Sequence, residues 1–225
     1  FVPSRGLGDV YKRQVITSIG LDHQAFLGDT REAIGAEKAG ILRSGQHVVL
    51  GQNMPSSVLQ RCEELSLKPR CWGTDFSSAS DIDQGTWQLS RQSQASLEIP
   101  LTAIAPHNIA LACEAVADMV ELDLDLIAKC SAAYMPGRMD IRQTKDRMWI
   151  LDVCHNPDGV RFFLSELASR KLRPAYFVCA MLAGKDHQGF YQSVIDAVGK
   201  NVPWLFVDSY GDRQMTAHAL AKTLG

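Results

Sequence analysis

The sequence has little that would place it in a membrane, at a zinc site or on a nucleic acid. No apolar run approaches the roughly 20 residues that cross a bilayer, and its first residues contain no apolar signal-peptide core, so a cytoplasmic location is expected. Its six cysteines form no CxxC pair, which favours reduced and mostly buried thiols. Its 23 basic and 25 acidic residues are scattered, so we expect small-molecule partners and no nucleic acid.

The 225 residues, 46% of them apolar, are enough for one large domain or two small ones. Residues 1–14 carry charges among glycines, whereas a β-branched run begins abruptly at Val15. We interpret the first segment as a tail, either a cloning or assembly remnant or a surface extension without structure. Pro136 and Gly137 interrupt a helical pattern, and they predict a domain boundary near Met135.

The first domain is predicted to alternate strands and helices, which favours a parallel sheet covered by helices. Asp29 is the expected cap of the first helix, and Gly45 is expected to close it. Expected strands cover residues 15–19 and 47–50, with helices over 30–42, 55–66, 107–120 and 125–133. Residues 71–100 contain alternating polar and apolar stretches, which predict an antiparallel β-rich excursion.

The alternation continues after residue 135, as is typical of an open doubly wound sheet. Expected strands cover residues 148–153, 175–180 and 203–208, with helices over 157–170 and 189–199. Ligands of such sheets bind at the carboxyl ends of the strands, where three polar clusters fall: Ser18–Gln24 with Glu37–Ile41, Pro106–Asn108, and Pro136–Asp140 with Leu151–Pro157. Taken singly, each has a simpler interpretation: a surface histidine, a helix cap, and a solvated arginine beside a capping aspartate.

Together, these clusters resemble the dihydrofolate synthase and folylpolyglutamate synthase family, a branch of the Mur ligase superfamily. The similarity runs from Val15 to Gly225, and four stretches carry it: ITSIGLDHQAFLGDTREAIGAEKAGILRSG, PGRMD, LDVCHNPDG and AMLAGKDHQGF. It implies an α/β protein with a partial central ATP-binding domain over residues 15–134 and a carboxy-terminal ligase domain over residues 135–225 that ends early. The implied activity is that of an ATP-dependent amide ligase that joins L-glutamate to dihydropteroate or folate, as a monomer, with ATP and Mg²⁺ as cofactors.

The resemblance also implies roles for two residues of the first cluster. His23 corresponds to a magnesium ligand, an unusual choice because magnesium prefers oxygen donors. Lys38 corresponds to a lysine that is carbamylated on its amine and acts beside the reacting groups. Formation of the carbamate requires a neutral amine, so we expect Lys38 to be buried or to lie near other cations.

Nucleotide binding is implied for the other two clusters. Asn108 corresponds to an asparagine that contacts adenine, and Arg138, Asp152 and His155 correspond to residues that close over ATP. Arg138 is also the expected catalytic cation, because a guanidinium group can stabilise charge on a transferring phosphoryl group.

The sequence departs from the family in one respect that concerns activity. No glycine-rich phosphate loop ending in Gly-Lys-Ser/Thr occurs in the 225 residues, and Gly6-Leu-Gly8 does not supply one. We therefore expect a fragment that is inactive alone. The alternatives are another Mur-superfamily ligase and a non-catalytic nucleotide-binding module, with a metal-dependent hydrolase that uses His23 and His155 least favoured.

Overall fold

The computed structural model describes residues 12–21 and 27–224. Contacts divide the chain into two compact units. The first extends to Ala132 except for Ile82–Gln84, which belong with the second, and the second continues from Ala133. Among the helices that the structure describes, none is both long and apolar enough to cross a membrane.

The described part of the first unit combines a parallel sheet, an antiparallel sheet and four helices. Its parallel strands are β1 Arg13–Ile16, β2 His47–Leu50 and β3 Arg70–Cys71, and its antiparallel strands are β4 Phe76–Asp81, β5 Thr86–Arg91 and β6 Leu97–Pro100. Its helices are α1 Arg31–Ala39, α2 Ser56–Glu64, α3 Pro106–Val116 and α4 Leu124–Ser131. The expected parallel sheet and the expected β-rich excursion are therefore both confirmed.

The parallel sheet, in the order β1-β2-β3, is covered by α1 and α2. Strand β1 begins two residues earlier than predicted, since Arg13 and Gln14, which were expected to belong to the tail, pair with His47 and Val48 of β2. Apolar side chains of the strands and of both helices form one buried core, whose members include Ile16, Ile34, Leu42, Val48, Leu50 and Val58.

The antiparallel sheet packs against α3 and α4 through a second core. The alternation predicted for β5 is confirmed, since Trp87 and Leu89 are buried and Gln88 between them is exposed. Ile99 of β6 and Ile127 of α4 lie in the same core. Helix α3 ends at Val116 rather than at the predicted Val120, and Val116, Met119 and Val120 are exposed.

The ends of α1 and the start of α2 differ from the predictions. Thr30, not Asp29, caps α1, because its backbone is extended and its Oγ1 accepts from the Ala33 N–H at 3.1 Å. Helix α1 closes at Gly40 rather than near Gly45. Glu32 caps the next helix instead of its own: its carboxylate accepts from the backbone N–H groups of Ser56 and Ser57 at 3.1 and 2.8 Å.

The second unit contains short strands and three described helices. Its strands form an antiparallel pair, β7 Asp140–Gln143 with β8 Met148–Leu151, and a parallel pair, β9 Phe177–Cys179 with β10 Trp204–Phe206. Its helices are α5 Pro157–Ser169, α6 His187–Val198 and α7 Ala217–Leu224. Strand β7 and helix α7 were not predicted. The core lies between β9, β10 and the helices, and includes Val160, Leu164, Cys179, Phe190, Val194 and Leu220.

Candidate functional site

Two neighbouring loops of the second unit hold three of the residues singled out in the sequence. We call residues 135–140 the arginine loop and residues 152–156 the β8 loop. Val153 donates its backbone N–H to the carbonyl of Gly137 at 2.9 Å, which ties the two loops together. The structure thus brings Arg138, Asp152 and His155 into one region at the end of β8.

Asp152 joins the two loops through its side chain. Its carboxylate accepts from the Met139 N–H at 3.0 Å and from the Cys154 N–H at 2.9 Å. Asp152 does not cap α5. Asn156 caps that helix, because its side chain accepts from the Gly159 N–H at 2.7 Å. Asp152 therefore holds the backbone on both sides of the site.

Arg138 is exposed on a backbone that turns sharply around it. Its neighbours Gly137 and Met139 have φ angles of +68° and +44°, both left-handed, and Met139 is not a glycine. The Arg138 guanidinium has no ion-pair or hydrogen-bond partner among residues 12–21 and 27–224. Its charge is available to an anion from solution.

His155 is exposed in the β8 loop. Its Nδ1 lies 3.0 Å from the carbonyl oxygen of Val153, and a carbonyl can only accept, so Nδ1 carries the proton. The desolvated thiol of Cys154, beside it in the chain, has its pKa raised to about 12, first by burial and then by the charge of Asp152, so this thiol stays protonated at neutral pH.

The first unit places Asn108 at the start of α3, near the carboxyl ends of the parallel strands. Helix α3 begins after Ala105 without a side-chain cap, so the interpretation of Asn108 as a helix cap is wrong. The Asn108 side chain is exposed and has no hydrogen-bond partner among the described residues. Its neighbour His107 bonds to the backbone of Thr17, and its ring lies 4.2 Å from that of Trp72. Burial lowers the pKa of His107, against the effect of that bond, so its imidazole is neutral at pH 7.

The carboxyl ends of β1 and β2 approach each other closely. Gly51 donates its N–H to the Ile16 carbonyl at 2.8 Å, and a Cβ added at Gly51 would lie 1.8 Å from the carbonyl oxygen of Thr17. Only glycine fits there. Arg31, at the start of α1, donates to the carbonyls of Ile19 and Asn53, which follow these two strands.

Lys38 lies in the last turn of α1 and is exposed, so the expected burial is not found. The rise of a helix places its Cα about 10 Å along α1 from that of Arg31. No described acid pairs with the Lys38 amine. The structure does not bring Lys38 into contact with Asn108.

The predicted magnesium ligand His23 lies outside the described residues. Within the described ranges, no group of three or more His, Cys, Asp or Glu side chains is arranged to hold a metal ion.

Three residues that organise the arginine loop were missed in the sequence. Asp140 belongs to the PGRMD stretch but had no assigned role, and Tyr134 and Arg142 were not singled out. The signal for Asp140 was present, since an acidic residue directly after a glycine-containing turn often accepts from its backbone N–H groups. Nothing local indicated its other two partners.

Comparisons with known proteins agree with these features. No protein-family model matches the chain. The dihydrofolate synthase/folylpolyglutamate synthase of Escherichia coli strain K12 is 32% identical over 219 residues, which are 94% of this chain and 50% of that protein. The structure of E. coli FolC with DHPP and ADP superimposes with a TM-score of 0.83 at 29% identity, over 95% of this chain and 51% of that one. The structure of a bifunctional folylpolyglutamate synthase/dihydrofolate synthase with Mn, AMPPNP and L-glutamate bound superimposes with a TM-score of 0.79 at 28% identity. The match covers 95% of this chain and 52% of that one.

The two units define a protein with a Mur ligase-type α/β fold. More specifically, the chain belongs to the dihydrofolate synthase/folylpolyglutamate synthase family. It spans about half the length of the curated relatives it matches.

Proposed function

We propose that the protein containing this chain is an ATP-dependent ligase that adds L-glutamate to dihydropteroate, to folylpolyglutamate or to both. The names of its relatives support this activity, and one related structure contains Mn, AMPPNP and L-glutamate. The observation that carries the proposal is the pair of bonded loops that fixes an exposed Arg138 beside Asp152 and His155. Cytoplasmic location, a monomeric state and the absence of a nucleic-acid partner belong to the same proposal.

Each unit, taken by itself, offers a group that suits one part of a nucleotide. An exposed guanidinium without a carboxylate partner in the described ranges suits phosphate oxygens, which Arg138 can bind with two parallel hydrogen bonds. Asn108 offers an exposed amide, with both a donor and an acceptor, at the amino end of a helix. An amide of this kind can recognise the edge of an adenine base.

A metal fits the described residues less well. We propose Mg²⁺ as the second cofactor through His23, which lies outside those residues, and the described ranges offer no ligand cluster of their own. Carbamylation of Lys38 is likewise a proposal, and it rests on the resemblance, because the exposed side chain does not have the burial that would favour a neutral amine.

The chemistry assigned to this chain is positioning and charge stabilisation. In this reaction ATP transfers its terminal phosphoryl group to the substrate carboxylate and leaves as ADP, and the amine of L-glutamate attacks the acyl phosphate, which forms the amide and releases phosphate. Arg138 would bind the phosphoryl oxygens as charge develops on them, an effect worth about 10²- to 10³-fold in rate for a single donor at other enzyme sites. Asp152 would keep the arginine loop in place, and His155 would offer a hydrogen bond from the neighbouring loop.

The test is an assay of the complete product of the gene that encodes this sequence. Phosphate release is measured with ATP and L-glutamate, once with dihydropteroate and once with tetrahydrofolate as the acceptor. The variant Arg138→Ala is compared with Arg147→Ala, a matched control, because Arg147 is exposed at the turn between β7 and β8 and bonds to Thr144 only through its backbone.

We expect release that depends on an acceptor and on glutamate, a loss of about 10²-fold or more in Arg138→Ala, and little change in Arg147→Ala. The acceptor that supports turnover identifies the substrate. If neither acceptor supports phosphate release, the ligase proposal is refuted and the alternative of a nucleotide-binding module remains. Equal activity of the two variants would remove the role of Arg138.

A further inference from the structure

The carboxylate of Asp140 closes the arginine loop on itself. This side chain is buried, with 3% of its surface exposed. One oxygen accepts from the Tyr134 hydroxyl at 2.9 Å and from the Gly137 N–H at 3.2 Å, and the other accepts from Arg142 Nε at 2.7 Å. A residue before the loop, one within it and one on the following strand therefore meet at a single carboxylate.

Arg138 depends on this arrangement for its direction. Because its guanidinium has no partner in the described ranges, only the loop backbone determines where it points. That backbone is left-handed at Gly137 and at Met139, a conformation that persists only when surrounding contacts enforce it. Asp140 holds the N–H of Gly137 and Asp152 holds the N–H of Met139, so a carboxylate holds the neighbouring residue on each side of Arg138.

The negative charge of Asp140 is neutralised by a partner within its own cluster. Arg142 pairs with it, donates to the Tyr134 hydroxyl, and lies 5.1 Å from the centre of the Tyr134 ring. Burial by itself would raise the pKa of Asp140, but the hydrogen bonds from its three partners outweigh burial and lower the pKa, so the group is ionised at neutral pH. With Arg142 as its counter-charge, Asp140 leaves the positive charge of Arg138 available to a phosphate.

We propose that Asp140 is a positioning residue for Arg138, and that it holds the arginine loop in the conformation that presents the guanidinium to the nucleotide. This inference rests on the proposed function. It assigns Asp140 an effect on nucleotide binding and turnover that acts through another residue, unlike a carboxylate that only stabilises the fold.

A double-variant cycle in the complete gene product tests this role. The variants are Asp140→Ala, Arg138→Ala and both together, with Asp146→Ala as the matched control, since Asp146 is exposed in the turn of the same hairpin. ADP affinity by calorimetry, kcat and KM for ATP, and thermal unfolding are measured for each. Tyr134→Phe removes one hydrogen bond to Asp140 at an exposed position. This variant replaces Asp140→Ala in the test if Asp140→Ala does not fold.

We expect Asp140→Ala to lower kcat/KM for ATP by about 10- to 100-fold, because small misplacements of a catalytic group have effects of that size. In the Arg138→Ala background, Asp140→Ala should lower kcat/KM for ATP by less than about 2-fold, because the guanidinium that Asp140 positions is already absent. Tyr134→Phe should weaken ADP binding in the same direction by a smaller factor, and Asp146→Ala should change nothing.

Multiplicative losses in the double variant would overturn the positioning role, as would losses that follow thermal stability alone. If the unaltered protein binds ADP but has no ligase activity, the proposed function is refuted. The positioning role of Asp140 is then still tested, because ADP affinity can be measured for every variant of the cycle. An unaltered protein that binds no ADP would overturn both.

Discussion

Replacing Glu114 by glutamine should destabilise the first unit more than any other change of a single charge considered below. Glu114 lies on α3 with 3% of its side chain exposed, and its carboxylate accepts from Arg70 Nε at 2.7 Å and from Arg91 Nε at 2.9 Å. These bonds join α3 to β3 and β5. Glutamine keeps the shape and one acceptor oxygen, but it turns an amide NH₂ group toward one of the two guanidinium groups.

The expected loss follows from the two partners. One charge-assisted hydrogen bond disappears, worth about 1.5–3 kcal/mol, and breaking a buried pair from one side costs about 3–5 kcal/mol. Arg91 is only 12% exposed and loses its counter-charge, whereas Arg70 is 39% exposed and keeps Asp75 at 3.0 Å. The more exposed partner limits the total, so we expect Glu114→Gln to lower the free energy of unfolding by about 3 kcal/mol.

Urea unfolding combined with hydrogen exchange measures this loss. Exchange read by mass spectrometry reports separately on the peptides of α3 and β5, which is necessary because two units need not unfold in one transition. The control is Glu64→Gln, whose exposed partner Arg61 lies three residues away at 3.0 Å, and which should change stability by less than about 0.5 kcal/mol. A loss below about 1 kcal/mol in Glu114→Gln, or one no larger than in the control, would refute this account of the buried pair.

Three further predictions concern backbone packing, pH and thiol accessibility. Gly51→Ala should lower the free energy of unfolding by about 3 kcal/mol in urea denaturation, since its Cβ would collide with backbone; a change below about 1 kcal/mol would show that the strands can separate there at little cost. The pKa of Glu32 is lowered, chiefly by the Ser57 N–H and against burial, so its stabilisation is present above the unfolded pKa of about 4.3 and lost as pH falls through the folded pKa. Glu32→Gln should therefore reduce Tm at pH 7 and differ less below pH 4, and an equal difference at both pH values would contradict this. Native alkylation with iodoacetamide should modify the exposed Cys130 before Cys154, whose thiol has a pKa of about 12, and peptide mass spectrometry showing the reverse order would contradict that burial.

Much of the secondary structure was predictable because it is encoded over short distances. Proline at the first position of α3 and of α5, the alternation of Trp87 and Leu89, and the interrupted pattern at Pro136 each act within a few residues. Apart from β7 and α7, which were not predicted, the errors lie at the ends of the elements. The cap of α1 was placed one residue too early because Asp29 and Thr30 are both good caps, and only the backbone geometry distinguishes them.

The candidate site was predictable in part. Arg138, Asp152 and His155 were found through motifs and were grouped in one cluster, and the structure joins the two loops that carry them by hydrogen bonds. Lys38 was expected to be buried or to lie near other cations, and its side chain is exposed in the described chain, since burial depends on what packs against a helix and not on the helix itself. The roles of Arg138, Asp152 and His155 in ATP binding stay predictions.

The sequence by itself determined the family, the alternation of strands and helices, and the loops that carry the charged residues, because motifs and periodicities are properties of neighbouring residues. Only the tertiary structure decided which charges meet. Glu114 reaches Arg70 across 44 positions and Arg91 across 23, and these pairs depend on the rotation of α3 over the strands. Asp140 joins three partners only once β7 has its register with β8 and the loop has turned left-handed at two residues. Such contacts arise from packing, which no local pattern specifies.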